Sequence, residues 1–187
     1  MSFAWRFFVA LALAVFSANA QQPGVGKLLV ASRISHDPDF AQSVILLVYY
    51  GPEGVIGLMI NRPWDVPVTE LFPDLKQARA RLYQGGPVAV GVRGLVRSKT
   101  KLEDADPVCT DVYVVSNVKK LKTMIAANTS PDTFRVYGGS TGWSVAQLKG
   151  EISDGLWRVL PAGAAAVFDP NPSTLWSRQN ENRQRER

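Results

Sequence analysis

Two kinds of residue in this chain have types and spacing that could do binding chemistry. The first is a polar pair that ends an apolar run: "GLMINRP", Gly57 to Pro63, closes on Asn61 and Arg62 and is stopped by proline. A guanidinium suits a carboxylate or phosphate, and an amide can satisfy loose backbone groups. Pro63 removes a backbone donor and disfavours helical geometry at Arg62, so the pair is expected in an extended exit from a buried strand. The second kind is glycine-rich. "YGGSTGWS", Tyr137 to Ser144, reads as a turn between a strand and a helix N-terminus, where backbone N–H groups can hold an anion. It also reads as plain turn chemistry, with Gly138, Gly139 and Gly142 permitting the bend and Ser144 capping the helix. "YQGGPV", Tyr83 to Val88, is a second tight turn through Gly85 and Gly86. The candidate anion-binding set is therefore Asn61, Arg62, Gly85, Gly86, Gly139, Ser140, Thr141, Gly142 and Ser144. Each stretch should end a strand, so the three are expected together at one end of a sheet, forming its main concave surface.

Catalytic and metal chemistry find little support. His36 is the only histidine, which removes two-histidine metal sites. Ser35, His36 and Asp37 are adjacent, so they cannot form a relay through proximity in sequence. There is no H-E-x-x-H and no phosphate loop ending in G-K-S/T. The expectation is no catalytic residue, no metal and no cofactor. Cys109 is the single cysteine, so no disulfide can form within the chain. It reads as a small core or strand residue or as a link between two chains.

The first twenty residues carry a different message. Arg6 is a short basic region, Phe7 to Phe16 is an apolar run, and Ala18-Asn19-Ala20 ends it in small residues. That order is a secretory signal cleaved before Gln21. The apolar run is shorter than the roughly 20 residues of a membrane-spanning helix, so no span is expected after cleavage. The remaining chain, with 46% hydrophobic and 20% charged residues over the whole 187, suits one globular domain. Net charge is +5, but Arg6 leaves with the leader and the end from Ser177 holds four Arg against two Glu, so Gln21 to Trp176 carries only +2. A basic face for sequence-specific nucleic-acid binding is not expected. Lys76 to Lys101 does hold seven Lys/Arg and no acid, and Glu103, Asp104, Asp106 and Asp111 follow as candidates to neutralise it.

The elements that must position these residues follow from patterning. Lys27 to Ser32 and Ser43 to Tyr50 read as strands, and Gly51-Pro52-Glu53-Gly54 as a hairpin turn into Val55 to Asn61. Near-continuous apolar runs predict a hairpin covered on both faces. A short helix is expected at Thr69 to Phe72, with brief strands around Leu82 to Gln84, Gly94 to Arg97 and Asp111 to Val115. Asn117 caps a helix with Val118, Leu121 and Ile125 on one face, leaving Lys119, Lys120 and Lys122 off that stripe. Thr133 to Gly139 is a strand, Ser144 and Gln147 form a capping box, and Val145, Leu148 and Ile152 make a helix stripe closed by Gly155. "LWRVLPA" and "AAAVF" read as final strands, and residues 177–187 as a disordered polar tail.

Together "DPDF" (Asp37 to Phe40), "GLMINRP", "GGPV" (Gly85 to Val88), "GW" with "QL" (Gly142, Trp143, Gln147, Leu148) and "VFD" with "LW" (Val167 to Asp169, Leu175, Trp176) resemble the YqgE/AlgH family of bacterial proteins. The resemblance spans Gly26 to Trp176 in the expected order. It implies a single α+β domain in which a mostly antiparallel, partly barrel-like sheet is flanked by helices. It implies no known reaction and no catalytic set; members have been proposed as transcriptional regulators. Two departures stand out: Gly139-Ser140-Thr141-Gly142-Trp143 replaces the family's usual G-Y-A-G-W, and Arg97-Ser98 falls where relatives carry Leu-His. The expected function is an exported, non-enzymatic module that binds a protein or a small anionic ligand. The alternative is a cytoplasmic transcriptional regulator that keeps its first twenty residues.

Overall fold

The computed structural model describes residues 22–35 and 37–185. The leader and His36 lie outside them. Strand β1 (Lys27–Ala31) pairs antiparallel with β2 (Val44–Gly51), which turns through Pro52 and Glu53 into β3 (Gly54–Met59). Alternation along these strands serves two cores at once. Val44, Leu46, Val48 and Leu58 face one apolar cluster, and Ile45, Leu47, Val55 and Met59 face another. Both faces are covered, which is why the apolar runs are nearly unbroken.

The chain continues through β4 (Pro63–Pro67), a 3-10 turn at Val68–Glu70, β5 (Arg81–Gln84), the long β6 (Val88–Arg97), β7 (Asp106–Cys109) and β8 (Val112–Val115). Helix α1 (Val118–Ala126) is capped by Asn117, whose side chain accepts the Lys120 N–H. Leu121 and Ile125 bury its inner face, whereas Val118 stays exposed. Lys122 bonds Asp74 at 2.8 Å, which holds the Asp74 carboxyl below its usual range.

Strand β9 (Phe134–Trp143) organises the molecule. Its first half pairs antiparallel with β6 and parallel with β5, and its last three residues pair with β3. The resulting ten-stranded sheet runs β10-β1-β2-β3-β9-β6-β8-β7, with β5 and β4 branching from β9, and curls into a half-barrel with a few helices around it. This is the single-domain, mostly antiparallel α+β fold that the resemblance implied. Helix α2 (Val145–Ser153) follows directly, capped by Ser144, and leads into β10 (Trp157–Pro161). Glu151 on α2 accepts both indole N–H groups of Trp143 and Trp157, at 3.0 and 2.7 Å, and Phe40 packs on both rings.

Four expectations change. The glycine-rich segment 138–142 is not a turn but the second half of β9, and at Gly139 the missing side chain lets the Gly86 and Val88 carbonyls approach closely. The capping box is half made: Gln147 bonds Glu151 at 2.9 Å, the i+4 neighbour on its own helix. "AAAVF" forms helix α3 (Ala164–Val167), since alanine favours a helix wherever no sheet edge claims it. The polar C-terminal segment is helical, as α4 (Leu175–Arg185). Its contacts are tertiary: Leu175 is buried, Trp176 Nε1 donates to the Ala31 carbonyl at 2.7 Å, Arg178 pairs with Asp169, and Arg158 donates to the Gln179 carbonyl. A polar composition alone does not reveal such anchoring.

Candidate functional site

The three expected stretches do meet, but through backbone. The Met59 N–H donates to the Gly85 carbonyl at 2.9 Å, the Gln84 N–H to the Arg62 carbonyl at 2.9 Å, and the Gly85 N–H to the Gly138 carbonyl at 2.8 Å. Asn61 is 6% exposed; its amide accepts the Val44 N–H at 2.8 Å and donates to the Gln42 carbonyl at 2.9 Å. It closes the entry of β2 against the exit of β3. Arg62 is half-buried and donates to the Ala41 carbonyl at 3.0 Å. No ion pair of Arg62 is found among the described residues, so its expected carboxylate is replaced by a carbonyl. A side chain at Gly85 would fall on the Gly139 carbonyl oxygen, and one at Gly86 on the backbone of Ser140. Gly86 and Gly139 also hold positive φ, at 154° and 74°, which a side chain tolerates poorly.

Gly85, Gly86, Gly139, Ser140 and Thr141 are buried, while Thr141 and Gly142 pair with Gly57 and Ile56 of β3. Ser144 spends its hydroxyl on the Gln147 N–H. Gly85, Gly86, Gly139, Ser140 and Thr141 form an interior seam where β3, β5 and β9 join, while Gly142 and Ser144 are exposed beside it.

A cavity of about 550 Å³ lies beside that seam, and none of the nine residues lines it. Its walls are Trp64 and Asp65 of β4, Arg79 and Arg81 leading along β5, the 128–131 loop, and Phe134 to Val136 of β9. The loop is fastened by Asn128, which accepts the Arg79 N–H at 2.8 Å and donates to the Gln77 carbonyl at 3.3 Å. Trp64 is 47% exposed at the mouth. Arg81 pairs with Asp65 at 2.6 Å across the β4–β5 ribbon. The Arg79 side chain forms no hydrogen bond or ion pair among the described residues.

The inner wall is charged from within. Arg135 is 4% exposed and points its guanidinium at three carbonyls: Nε to Pro131 at 3.0 Å, Nη1 to Val167 at 3.1 Å and Nη2 to Asp169 at 2.7 Å. It also lies over the Tyr83 ring at 4.9 Å and the Phe168 ring at 5.6 Å. The Asp169 carboxylate is engaged elsewhere, accepting from Asn171 and Arg178. Burial pushes the Tyr83 phenol above its usual pKa against the opposing pull of Arg135, and it does the same to the fully buried Tyr137.

Sequence reasoning missed Trp64, Arg79, Arg81 and Arg135. Two signals were present. In "ARARLY" the arginines alternate with Ala78, Ala80 and Leu82, which places both on one face of an extended segment. Arg135 interrupts an otherwise apolar strand between Phe134 and Val136. Of the acids expected to neutralise Lys76 to Lys101, none forms an ion pair among the described residues; Arg81 uses Asp65 instead.

The AlgH-like family profile matches residues 28–185. The UPF0301 protein AlgH of Pseudomonas aeruginosa is 34% identical over 152 residues, covering 77% of this chain and 80% of its own. A UPF0301 protein of Chlamydia caviae is 31% identical over 157 residues, with 82% of each chain covered. The solution structure of the Pseudomonas aeruginosa AlgH protein superposes with a TM-score of 0.69 at 29% identity, over 87% of this chain and 90% of that one. A crystal structure from Corynebacterium diphtheriae shares the fold, with a TM-score of 0.69 at 24% identity over 86% and 87% of the two chains. None of these names assigns a reaction. With the curled sheet, the order of motifs and the profile in agreement, the chain belongs to the AlgH-like family.

Proposed function

We propose that this protein is an exported, non-enzymatic binding module whose ligand site is the cavity between β4, β5 and the 128–131 loop. The observation that carries the binding reading is a half-exposed Trp64 beside an Arg79 side chain that has no partner among the described residues, both lining a half-open cavity. Large aromatic side chains and arginines left at a concavity are the usual anchors of recognition. Export is supported by the basic, apolar and small-residue order of Met1 to Ala20. Nucleic-acid binding is expected to be weak, salt-sensitive and blind to sequence, arising from Lys76 to Lys101 and the C-terminal arginines.

The test has two arms. Cell fractionation with N-terminal sequencing should recover a chain beginning at Gln21 outside the cytoplasm. Intact Met1 to Ala20 on a cytoplasmic protein would overturn export and restore the alternative of a cytoplasmic transcriptional regulator. A melting-temperature screen against a diverse set of small molecules should give at least one stabilising compound whose effect disappears in Trp64→Ala. A screen without any such compound would overturn the cavity as a binding site.

A further inference from the structure

We infer that the cavity takes a flat, mostly apolar ligand bearing a single carboxylate. This rests on the cavity being the binding site and names the chemistry that fits it. The first argument is charge. Arg135 is buried, it has no ion-pair partner among the described residues, and carbonyl dipoles satisfy its donors without cancelling its charge. Arg79 adds a guanidinium at the mouth with no side-chain partner among the described residues, and Arg81 is held by Asp65. The inner positive charge attracts an anion, and the outer arginine can grip one bidentately.

The second argument is the rest of the lining. Leu82, Phe134 and Val136 are buried apolar residues, and the Tyr83 and Trp64 rings supply flat faces. A volume near 550 Å³ falls within the roughly 300–1,000 Å³ typical of small-molecule sites. Inorganic phosphate fits poorly, because a strongly hydrated dianion gains nothing from an apolar floor. Polyanions are disfavoured by the Asp65 carboxylate at the mouth and by the exposed Asp132 next to the cavity. One carboxylate on a flat apolar body meets the Arg79 guanidinium directly, sits in the field of the Arg135 charge and uses both rings without meeting those acids.

The test compares two probes with the same ring body, naphthalene carboxylate and its uncharged alcohol naphthylmethanol, by isothermal titration against the purified protein. The carboxylate is expected to bind about tenfold more tightly than the alcohol. Arg79→Gln should remove that advantage and leave the alcohol unchanged, while Trp64→Ala should weaken both probes about tenfold. Both positions are exposed, so melting curves of the variants should match the parent. Equal affinity for the two probes would overturn the inference while leaving the cavity a binding site. Carboxylate binding that survives both substitutions would place the probe elsewhere and overturn it too. Failure of the carboxylate to bind also overturns it, and the diverse melting screen then judges the cavity independently.

Discussion

Asn61→Ala would strand the Val44 N–H and the Gln42 carbonyl at a buried junction, so a loss of about 2 kcal/mol is expected in urea denaturation. Its neighbour is different. Arg62→Ala removes one bond from a half-buried side chain to a carbonyl, and the expected cost is below about 1 kcal/mol. A greater loss at Arg62 than at Asn61 would contradict this ordering. Arg135→Lys keeps the charge but cannot reach three divergent carbonyls while lying over Tyr83 and Phe168; about 2 to 4 kcal/mol should be lost. Asn61 was legible in the sequence because a polar residue ending an apolar run must answer local backbone groups. Arg135 was not. Its partners are carbonyls from residues 131, 167 and 169, and a carbonyl leaves no trace in a sequence.

At the scale of elements, the glycines of β5 and β9 separate by geometry. Gly85→Ala would drive a methyl into the Gly139 carbonyl and should cost several kcal/mol, on the scale of a severe overpacking defect. Gly142→Ala meets nothing nearer than 3.9 Å, has ordinary φ, and should change stability by less than about 0.5 kcal/mol. Thermal melting of the two variants checks this directly, and comparable losses would show that the seam is looser than its contacts imply. Strands β1 to β3 were legible because their apolar alternation serves two cores. The 138–142 segment was misread because local rules assign consecutive glycines to turns. Whether such a run bends or lies flat between three strands is decided by the partners that reach it, and those come from positions far apart in the chain. Helix α3 and helix α4 were hidden for related reasons: one is short enough to pass for a strand, and the other draws its stability from anchors at Ala31, Arg158 and Asp169.

For the molecule as a whole, the α+β class was legible through the ordered motifs, whereas the cavity was not, because its walls come from β4, β5, β9 and a loop that meet only in space. Global stability should respond to alkali through its most buried phenol. Burial holds the Tyr137 pKa above the ordinary value of about 10, so the folded chain keeps a proton that the unfolded chain releases. That stabilisation is complete below about pH 10 and is lost as pH rises further. Tyr137→Phe should therefore lose less stability between about pH 9 and 11 than the parent, measured by urea denaturation, with a residual slope from Tyr83. An unchanged slope would refute the assignment. The pairing of β1 with β10, locked by the Trp176 indole on Ala31, carries a consequence of timing. The earliest strand of the sheet waits for β10 and Trp176, so a growing chain holds an open edge at β1 until both have been made. A chain cut short before β10 should therefore remain a substrate for proteases instead of becoming a smaller stable domain.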